Sequence, residues 1–499
     1  MSMTQPAPSL KSESLHQQLD QLVAFLDTAL RQHDPIHTME RGLWTRLLQL
    51  GHDLVAHVFA QCGSGDQGES LTLPDGRDVQ RLEKLHDRRY VSLFGAFTLQ
   101  RTVYGSREGQ KIDFVPLDNR LQLPESPFSY VLQDWDQALC AEQAFGQVNT
   151  TIQRMLQLKQ SVDSLERGNQ DMAQQATPFR LTRPLPPAAE EGELFVVSAD
   201  GKGVVLRRGP DDPAPVAYRT KGDKASQKRM ATVGTAYSVD RYVRTPEEVV
   251  AALFRDGPPP EEDRPRPQHK QVWASLAQAD VPCSGMEAVF VWLMWEMCRR
   301  NPDRFKEEVY LSDGQESLWE AKERHLGGRC KVGILDLLHV TPRLWKAAHV
   351  FHAEKSAEAE AFVRERLLRV LRGQAASVIQ GLRVMGGRHT LTTAKRKTLR
   401  EVCNYLEKNL ERMRYHEYLA AGYPIASGVI EGACRHLVKD RMERAGMHWT
   451  IPGAQAMLEV RSVYLSGQWE EYQAYRIEQE TQRLYPHREL VEQLYGMAV

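Results

Sequence analysis

Leu194-Phe195-Val196-Val197-Ser198-Ala199-Asp200-Gly201-Lys202-Gly203 is a short apolar run that ends in an acid and is followed by two glycines. A run of this length bounded by turn formers reads as a buried strand, and the glycines as a tight turn exposing backbone N–H groups beside Asp200. Taken alone, Asp200 is a strand-end turn former, and the Walker phosphate-loop pattern is absent. The arrangement recurs, however: Glu308-Val309-Tyr310-Leu311-Ser312-Asp313-Gly314 again runs strand, acid, glycine. Between and after these, residues 230–239 and 272–276 read as strands and residues 286–298 and 315–325 as helices. Residues 332–340, which carry Asp336-x-x-His339, read as a further strand. This order predicts a mixed α/β sheet covered by helices.

A third acid lies far downstream, in Tyr423-Pro424-Ile425-Ala426-Ser427-Gly428-Val429-Ile430-Glu431. Ser427 is the expected N-cap of a helix, which puts Glu431 in the first turn. At about 100° per residue, Val429, Ile430, Ala433, Cys434 and Leu437 share an apolar face, while Glu431, Arg435, Lys439 and Met442 share another. A solvated Glu–Arg pair four residues apart would account for Glu431 and Arg435 without any site. With Asp200 and Asp313 each closing a strand, three carboxylates can instead converge as an oxygen site for Mg2+ or Mn2+, the hard-cation chemistry of phosphoryl transfer.

The chain of 499 residues is long enough for several structural units, and 41% hydrophobic residues suffice to pack them. Net charge is −1 and the pI about 7.0, which lends no support to nucleic-acid binding as a whole-chain property. Charge is segregated locally. Lys202, Arg207, Arg208, Arg219, Lys221, Lys224, Lys228 and Arg229 crowd one interval against Asp211, Asp212 and Asp223, which fits a phosphate-contacting surface and fits a solvated mixed-charge loop equally well. The most apolar stretch, residues 288–295, is stopped by Glu296, short of the ~18 residues that span a bilayer, so no membrane association is expected. No secretory pattern opens the sequence, and a cytoplasmic protein is expected. Seven cysteines without a C-x-x-C pair point neither to a disulfide framework nor to a zinc site.

Ahead of the sheet, residues 15–26 and 41–60 carry helical spacing, 62–78 read as a loop, and 89–104 as a β-hairpin around Gly95. Three helical segments follow at 130–144, 147–157 and 162–174, with Ser161 as expected N-cap of the third. The spacing suits a helix-turn-helix in which Ser161, Ser164 and Arg167 contact DNA; any three-helix bundle gives the same pattern. Residues 177–192, with four prolines, read as a linker. The expected organisation is a helical region (1–80), a β-hairpin region (81–125), a helix-turn-helix-like region (126–176), the linker, an α/β domain (193–341 with 424–499) and an all-α insertion (342–423) broken at Gly386-Gly387. The arginines of the insertion at 364, 366, 369 and 372 read as a solvated face, and His349 and His352 as structural.

The strand–acid–glycine stretches, Leu335-Asp336-Leu337-Leu338-His339-Val340, and the run from Ile425 to Glu431 with Arg441-Met442 and Trp449 together resemble bacterial insertion-sequence transposases of the ISKra type. The likeness runs from about Arg89 to the end of the chain. It implies a DDE transposase with a ribonuclease H-like catalytic domain, whose helical insertion precedes the last catalytic acid. It implies Asp200, Asp313 and Glu431 as catalytic, metal-binding residues, with Asp336 and His339 similar to the C/D-x-x-H motif of related Mutator-type enzymes. Asp336 is the alternative second acid, and Asp313 is preferred for its place in the sheet. Lys202 and Arg435, with Lys221, Lys224 and Lys228, are expected at the DNA backbone. The implied partners are double-stranded DNA, as transposon ends and target, and a second copy of the chain, although no coiled-coil heptad is apparent. Relatives often carry a cysteine pair after the hairpin that suggests a zinc ribbon; residues 104–109 have none. The alternatives are a catalytically silent, transposon-derived DNA-binding protein and a ribonuclease H-like nuclease without strand transfer.

Overall fold

Five strands build the sheet that carries the candidate site: β1 (Leu194–Val205), β2 (Lys228–Val239), β3 (Gln268–Leu276), β4 (Glu307–Ser312) and β5 (Val332–Leu335). Their order across the sheet is β5-β4-β1-β2-β3. β1, β2 and β3 run antiparallel in sequence, while β4 lies parallel to both β1 and β5. Side chains alternate between faces along a strand, and here both faces are covered, so the strands read as unbroken apolar runs. Leu194, Val196, Val309, Leu311 and Ile334 enter one core with the long helical layer; Phe195, Val197, Ala199 and Tyr310 enter the other with α1 (Met286–Arg300) and α2 (Glu316–Leu326). Each Val, Leu, Ile or Phe among these, fully buried, contributes about 1.5–3 kcal/mol.

The computed structural model describes residues 12–106, 112–207, 228–257, 264–278, 280–444 and 446–496. Lys221 and Lys224 therefore lie outside the described residues. The chain forms two units, residues 172–469, which hold the sheet, and residues 1–171 with 470–499. The last thirty residues thus join the N-terminal unit rather than the α/β domain expected to include them. Helix Arg488–Tyr495 explains this: Val491, flanked by Leu490 and Leu494, packs on Leu73, Val79, Tyr104 and Phe114. Val79, Tyr104 and Phe114 belong to a small sheet of four short strands, one of which, Ser70–Thr72, ends just before Leu73 and lies in the stretch read as a loop. The hairpin of His86–Ser92 and Gly95–Arg101 turns at Gly95, whose φ of 135° suits glycine. Helices Tyr130–Glu142, Phe145–Leu156 and Val162–Ala173 fall where their spacing puts them.

In the sheet-bearing unit, α3 (Leu337–Phe351), α4 (Ala357–Leu371), α5 (Ala375–Arg388) and α6 (Thr393–Lys408) form the helical layer between β5 and the last acid. Four local expectations are corrected. The Gly201-Lys202-Gly203 turn is absent, because β1 continues through it, paired with Thr232, Ala231 and Met230. Those glycines instead admit neighbours: a Cβ on Gly201 would lie 3.0 Å from Met230 Cε. The strand read over 332–340 stops at Leu335, where Asp336 caps α3 and turns the D-x-x-H into the first turn of a helix. The helical layer is not broken at Gly386-Gly387; α5 runs through, and Gly386 lets Leu399 of α6 approach. The stretch read as a linker begins with a helix, Ala176–Thr182, whose first turn tolerates Pro178.

The edge strand β3 is covered by α8 (Ile451–Leu465), with α7 (Gly428–Ala433) preceding it. Gln455 Oε1 accepts from Leu276 N at 2.9 Å and Ser466 Oγ from Val272 N at 3.1 Å, so the edge does not offer these donors to another strand.

Candidate metal and phosphate site

The register of the parallel strands decides the geometry. Tyr310 lies opposite Val197 and Ser312 opposite Leu335. Carried on in that register, Asp313 falls opposite both Asp200 and Asp336, so the three acids form one row across adjacent strands, Asp200 within β1 and Asp313 and Asp336 just past the ends of β4 and β5, about 4.8 Å apart from strand to strand. Open α/β sheets place their ligands at the carboxyl ends of their strands.

Each acid is held by backbone. Asp200 Oδ1 accepts from Gly201 N at 2.6 Å, and Oδ2 from the Cys434 thiol at 3.3 Å. Asp313 Oδ1 accepts from Gln315 N at 2.9 Å, while its carbonyl accepts from the Trp319 indole at 2.6 Å. Gly314 beside it has no room for a side chain, since a Cβ would stand 2.5 Å from the Tyr405 ring. Asp336 ties the three motif stretches together. Its N–H donates to Ser312 O at 2.8 Å, its Oδ1 accepts from Leu338 N at 2.8 Å, and its Oδ2 accepts from Ser427 N at 3.2 Å. Leu337 N also donates to Ile425 O at 2.9 Å, which pins the loop that leads to Glu431.

Ser427 caps α7 as expected, accepting from Ile430 N at 3.3 Å. Beyond α7 the backbone becomes π-helical over Cys434–Lys439. The wider turn slips the helical phase, which is why Met442 is buried although α-helical spacing would put it on the face of Glu431. Glu431 remains exposed at the site, with Oε1 3.9 Å from His339 Nε2.

Electrostatics reflect the crowding. Burial pushes the Asp336 carboxyl up to about 6; the N–H of Leu338, nearby His339 and the N–H of Ser427 oppose this, and the charge of Glu431 adds to it. Asp313 is also raised, first by burial and then by the charge of Asp200, with the Gln315 N–H and His339 acting against it. Burial, reinforced by Asp200, raises the Cys434 thiol, so it stands as a neutral donor to Asp200 rather than a nucleophile. Ligand-capable atoms of Asp336, His339 and Glu431 lie within 4.8 Å of one another, so this group could hold a metal ion. Oxygen ligands at about 2.1 Å from one ion stand within roughly 4.2 Å of each other, so a shift of under an ångström would close the set.

The structure thus brings Asp336, His339 and Glu431 together, and it sets Asp200 and Asp313 where their charges act on each other and on their neighbours. The sequence reading missed Cys434, assigned to an apolar face, and Tyr405, which arrives from α6; neither carries a motif. The cations expected at DNA differ among themselves. Lys228 Nζ is 3.0 Å and Lys202 Nζ 4.0 Å from Glu443, a shared counter-charge. Arg435 is exposed and only loosely paired, 3.6 Å from Asp440. In the N-terminal unit, Ser161 Oγ accepts from Ser164 N at 3.0 Å and lies 2.8 Å from Ser164 Oγ, while Arg167 Nε donates to Asp163 O at 3.3 Å. The arginines of α4 and of its C-cap are neutralised: Arg364 by Asp256 and Glu360, Arg366 and Arg369 by Glu365, and the C-cap Arg372 by Glu247. By contrast Arg396 and Arg400, four residues apart in the first turns of α6, line a cavity of about 460 Å³ with Arg383, His389 and Asn404.

No family model matches the sequence, and no curated protein matches it. Among solved structures the chain is similar to the Drosophila P element transposase strand transfer complex, at 12% identity over 78% of this chain and 87% of that one, with a TM-score of 0.24. At that score the likeness is too loose to carry function. No described helix is long and apolar enough to cross a membrane.

Proposed function

We propose that the chain is a DDE transposase of ribonuclease H-like architecture, which cleaves DNA at transposon ends and transfers the freed 3′-OH strand to target DNA. One observation carries the reading: with the parallel register continued, Asp200 within β1 and Asp313 and Asp336 just past the ends of β4 and β5 fall in one row, and Glu431 approaches from α7 beside His339. The mixed sheet order and the helical layer inserted before Glu431 also fit it.

Asp200, Asp313 and Glu431 are the proposed carboxylate ligands, with His339 and Asp336 adjoining them. Bound divalent cations, Mg2+ or Mn2+, would supply Lewis-acid stabilisation of phosphate oxygens and a deprotonated water or 3′-OH. The imidazole among the donors favours Mn2+ over Mg2+. Asp336 acts chiefly by position: with both oxygens held by backbone N–H groups, it fixes the loop that aims Glu431 and presents His339 to the scissile phosphate. The Cys434 thiol keeps one Asp200 oxygen oriented. Arg435, exposed and loosely paired, is the proposed cation for the DNA backbone, with Lys202 and Lys228 sharing Glu443; the α6 arginines offer a second phosphate-contacting surface.

The test is cleavage and joining of a plasmid that carries the element's own ends, with Mn2+ or Mg2+. Asp200→Asn, Asp313→Asn and Glu431→Gln should each lose cleavage by at least about a thousandfold while retaining DNA binding. Retained cleavage in any of the three removes that residue from the reaction. Cleavage without joining would make the protein a nuclease instead.

A further inference from the structure

The N-terminal unit opens with two antiparallel helices, Ser12–Arg31 and Ile36–Cys62, that turn at Pro35. Their mutual seam is already closed. Leu22 and Ala29 are buried, the Arg46 guanidinium lies 3.6 Å over the Phe25 ring, and Gln18 Nε2 donates to Asp53 Oδ2 at 2.8 Å. A second face of Ile36–Cys62 is also used, where Val55, Ala56 and Phe59 pack on Phe97 and Leu99 of the β-hairpin.

A third face is left over. Leu19, Val23, Leu26 and Leu30 step by four, three and four residues along the first helix. Trp44, Leu47, Leu54 and Val58 lie at the same spacing along the second, with Gly51 between them covered by the Phe94 ring. Apart from Leu26 and Gly51, which are partly buried, these residues and Ile36 stand 41% to 77% exposed, Trp44 while its indole donates to Met155 O at 2.7 Å. At about 100° per residue, both stripes lie away from the seam and turn to the same side of the hairpin. Contiguous apolar surface of this kind marks an interaction face.

We propose that this face pairs with the same face of a second copy, so that two helical hairpins close into a four-helix bundle about a two-fold axis. Three features commit it to that occupant. The three-four spacing on both helices is the seam that a helix of like spacing fills, knobs into holes. At roughly half exposure each, the side chains present on the order of 700 Å², against about 800 Å² per partner in a standard interface. Asp20 and Asp27 flank the stripe of the first helix, Glu40 continues that of the second one turn before Trp44, and neither helix carries a lysine, which does not suit a membrane surface. A two-fold contact uses one patch twice and needs no other component.

The inference does not depend on the catalytic reading, and its test needs neither DNA nor metal. Light scattering after size exclusion should give the full-length protein the mass of a dimer. Val23→Glu combined with Leu54→Glu should give a monomer with an unchanged far-ultraviolet spectrum. If that variant misfolds, Leu19→Ser with Leu30→Ser serves, and should raise the dimer dissociation constant by about a hundredfold or more. A wild-type protein that remains monomeric at micromolar concentration overturns the proposal. So does a folded variant that keeps the dimer mass or affinity, because the contact would then lie elsewhere.

Discussion

Asp336→Asn tests the energetics of the site directly. Asp336 is 1% exposed, and its carboxyl is pushed up to about 6, first by burial and further by Glu431. In the unfolded chain the value is about 3.9. Between the two, the folded protein holds a proton that the unfolded chain has released. Stability therefore falls as pH rises from about 4 to about 6 and levels off above, a loss on the order of 3 kcal/mol by neutral pH. Asparagine removes this titration and keeps an acceptor for Leu338 N. Its amide nitrogen cannot accept from Ser427 N, a cost of about 1–3 kcal/mol that does not vary with pH. The variant should therefore be the less stable protein at about pH 4.5, and gain roughly 2 kcal/mol on wild type by about pH 7. Urea unfolding in EDTA, followed by tryptophan fluorescence of the sheet-bearing unit, reads the difference. A gap between the two proteins that stays constant within about 0.5 kcal/mol over this range would refute the argument from burial. Saturating Mn2+ should reverse the trend for wild type, adding about 2.7 kcal/mol at a hundredfold excess over Kd, and should add much less for the variant.

The remaining predictions concern neighbours of that acid. Ser427→Ala removes the cap of the helix bearing Glu431, and should lower stability by about 1 kcal/mol and shrink the rise in Tm caused by Mn2+; an unchanged metal response would separate the cap from the site. Cys434→Ala should raise the Mn2+ concentration for half-maximal cleavage severalfold and Cys434→Ser much less, since only serine keeps a donor to Asp200; equal behaviour of the two would exclude the hydrogen bond as the cause. Arg396→Gln with Arg400→Gln should flatten the slope of log binding constant against log salt by about 2, measured with duplex DNA, and an unchanged slope would take the α6 cavity off the DNA path.

Some of the local structure around these acids is legible in the sequence. Apolar runs that lead into Asp200 and Asp313, and Ser427 ahead of Glu431, are local patterns, and burial on both faces or capping dictates them locally. The phase of the helix after Glu431 was not legible, because a π-helical turn comes from tertiary packing around Cys434, Leu437 and Val438 rather than from residue propensity. The end of β5 was misread for a related reason: Leu337 to Val340 suits a strand or a helix, and the Asp336 side chain, reaching Leu338 N and Ser427 N, decides for the helix.

By itself, then, the sequence determined which segments are strands of a doubly covered sheet and that acids stand along or beside them, since period and composition carry that information over a few residues. Only the tertiary structure decided that Asp200, Asp313 and Asp336 share a row, that His339 faces Glu431, and that the three-four stripes of the N-terminal helices point outward rather than into a core. Register and exposure depend on what packs against a segment from far along the chain, and a one-dimensional pattern is silent about its partner.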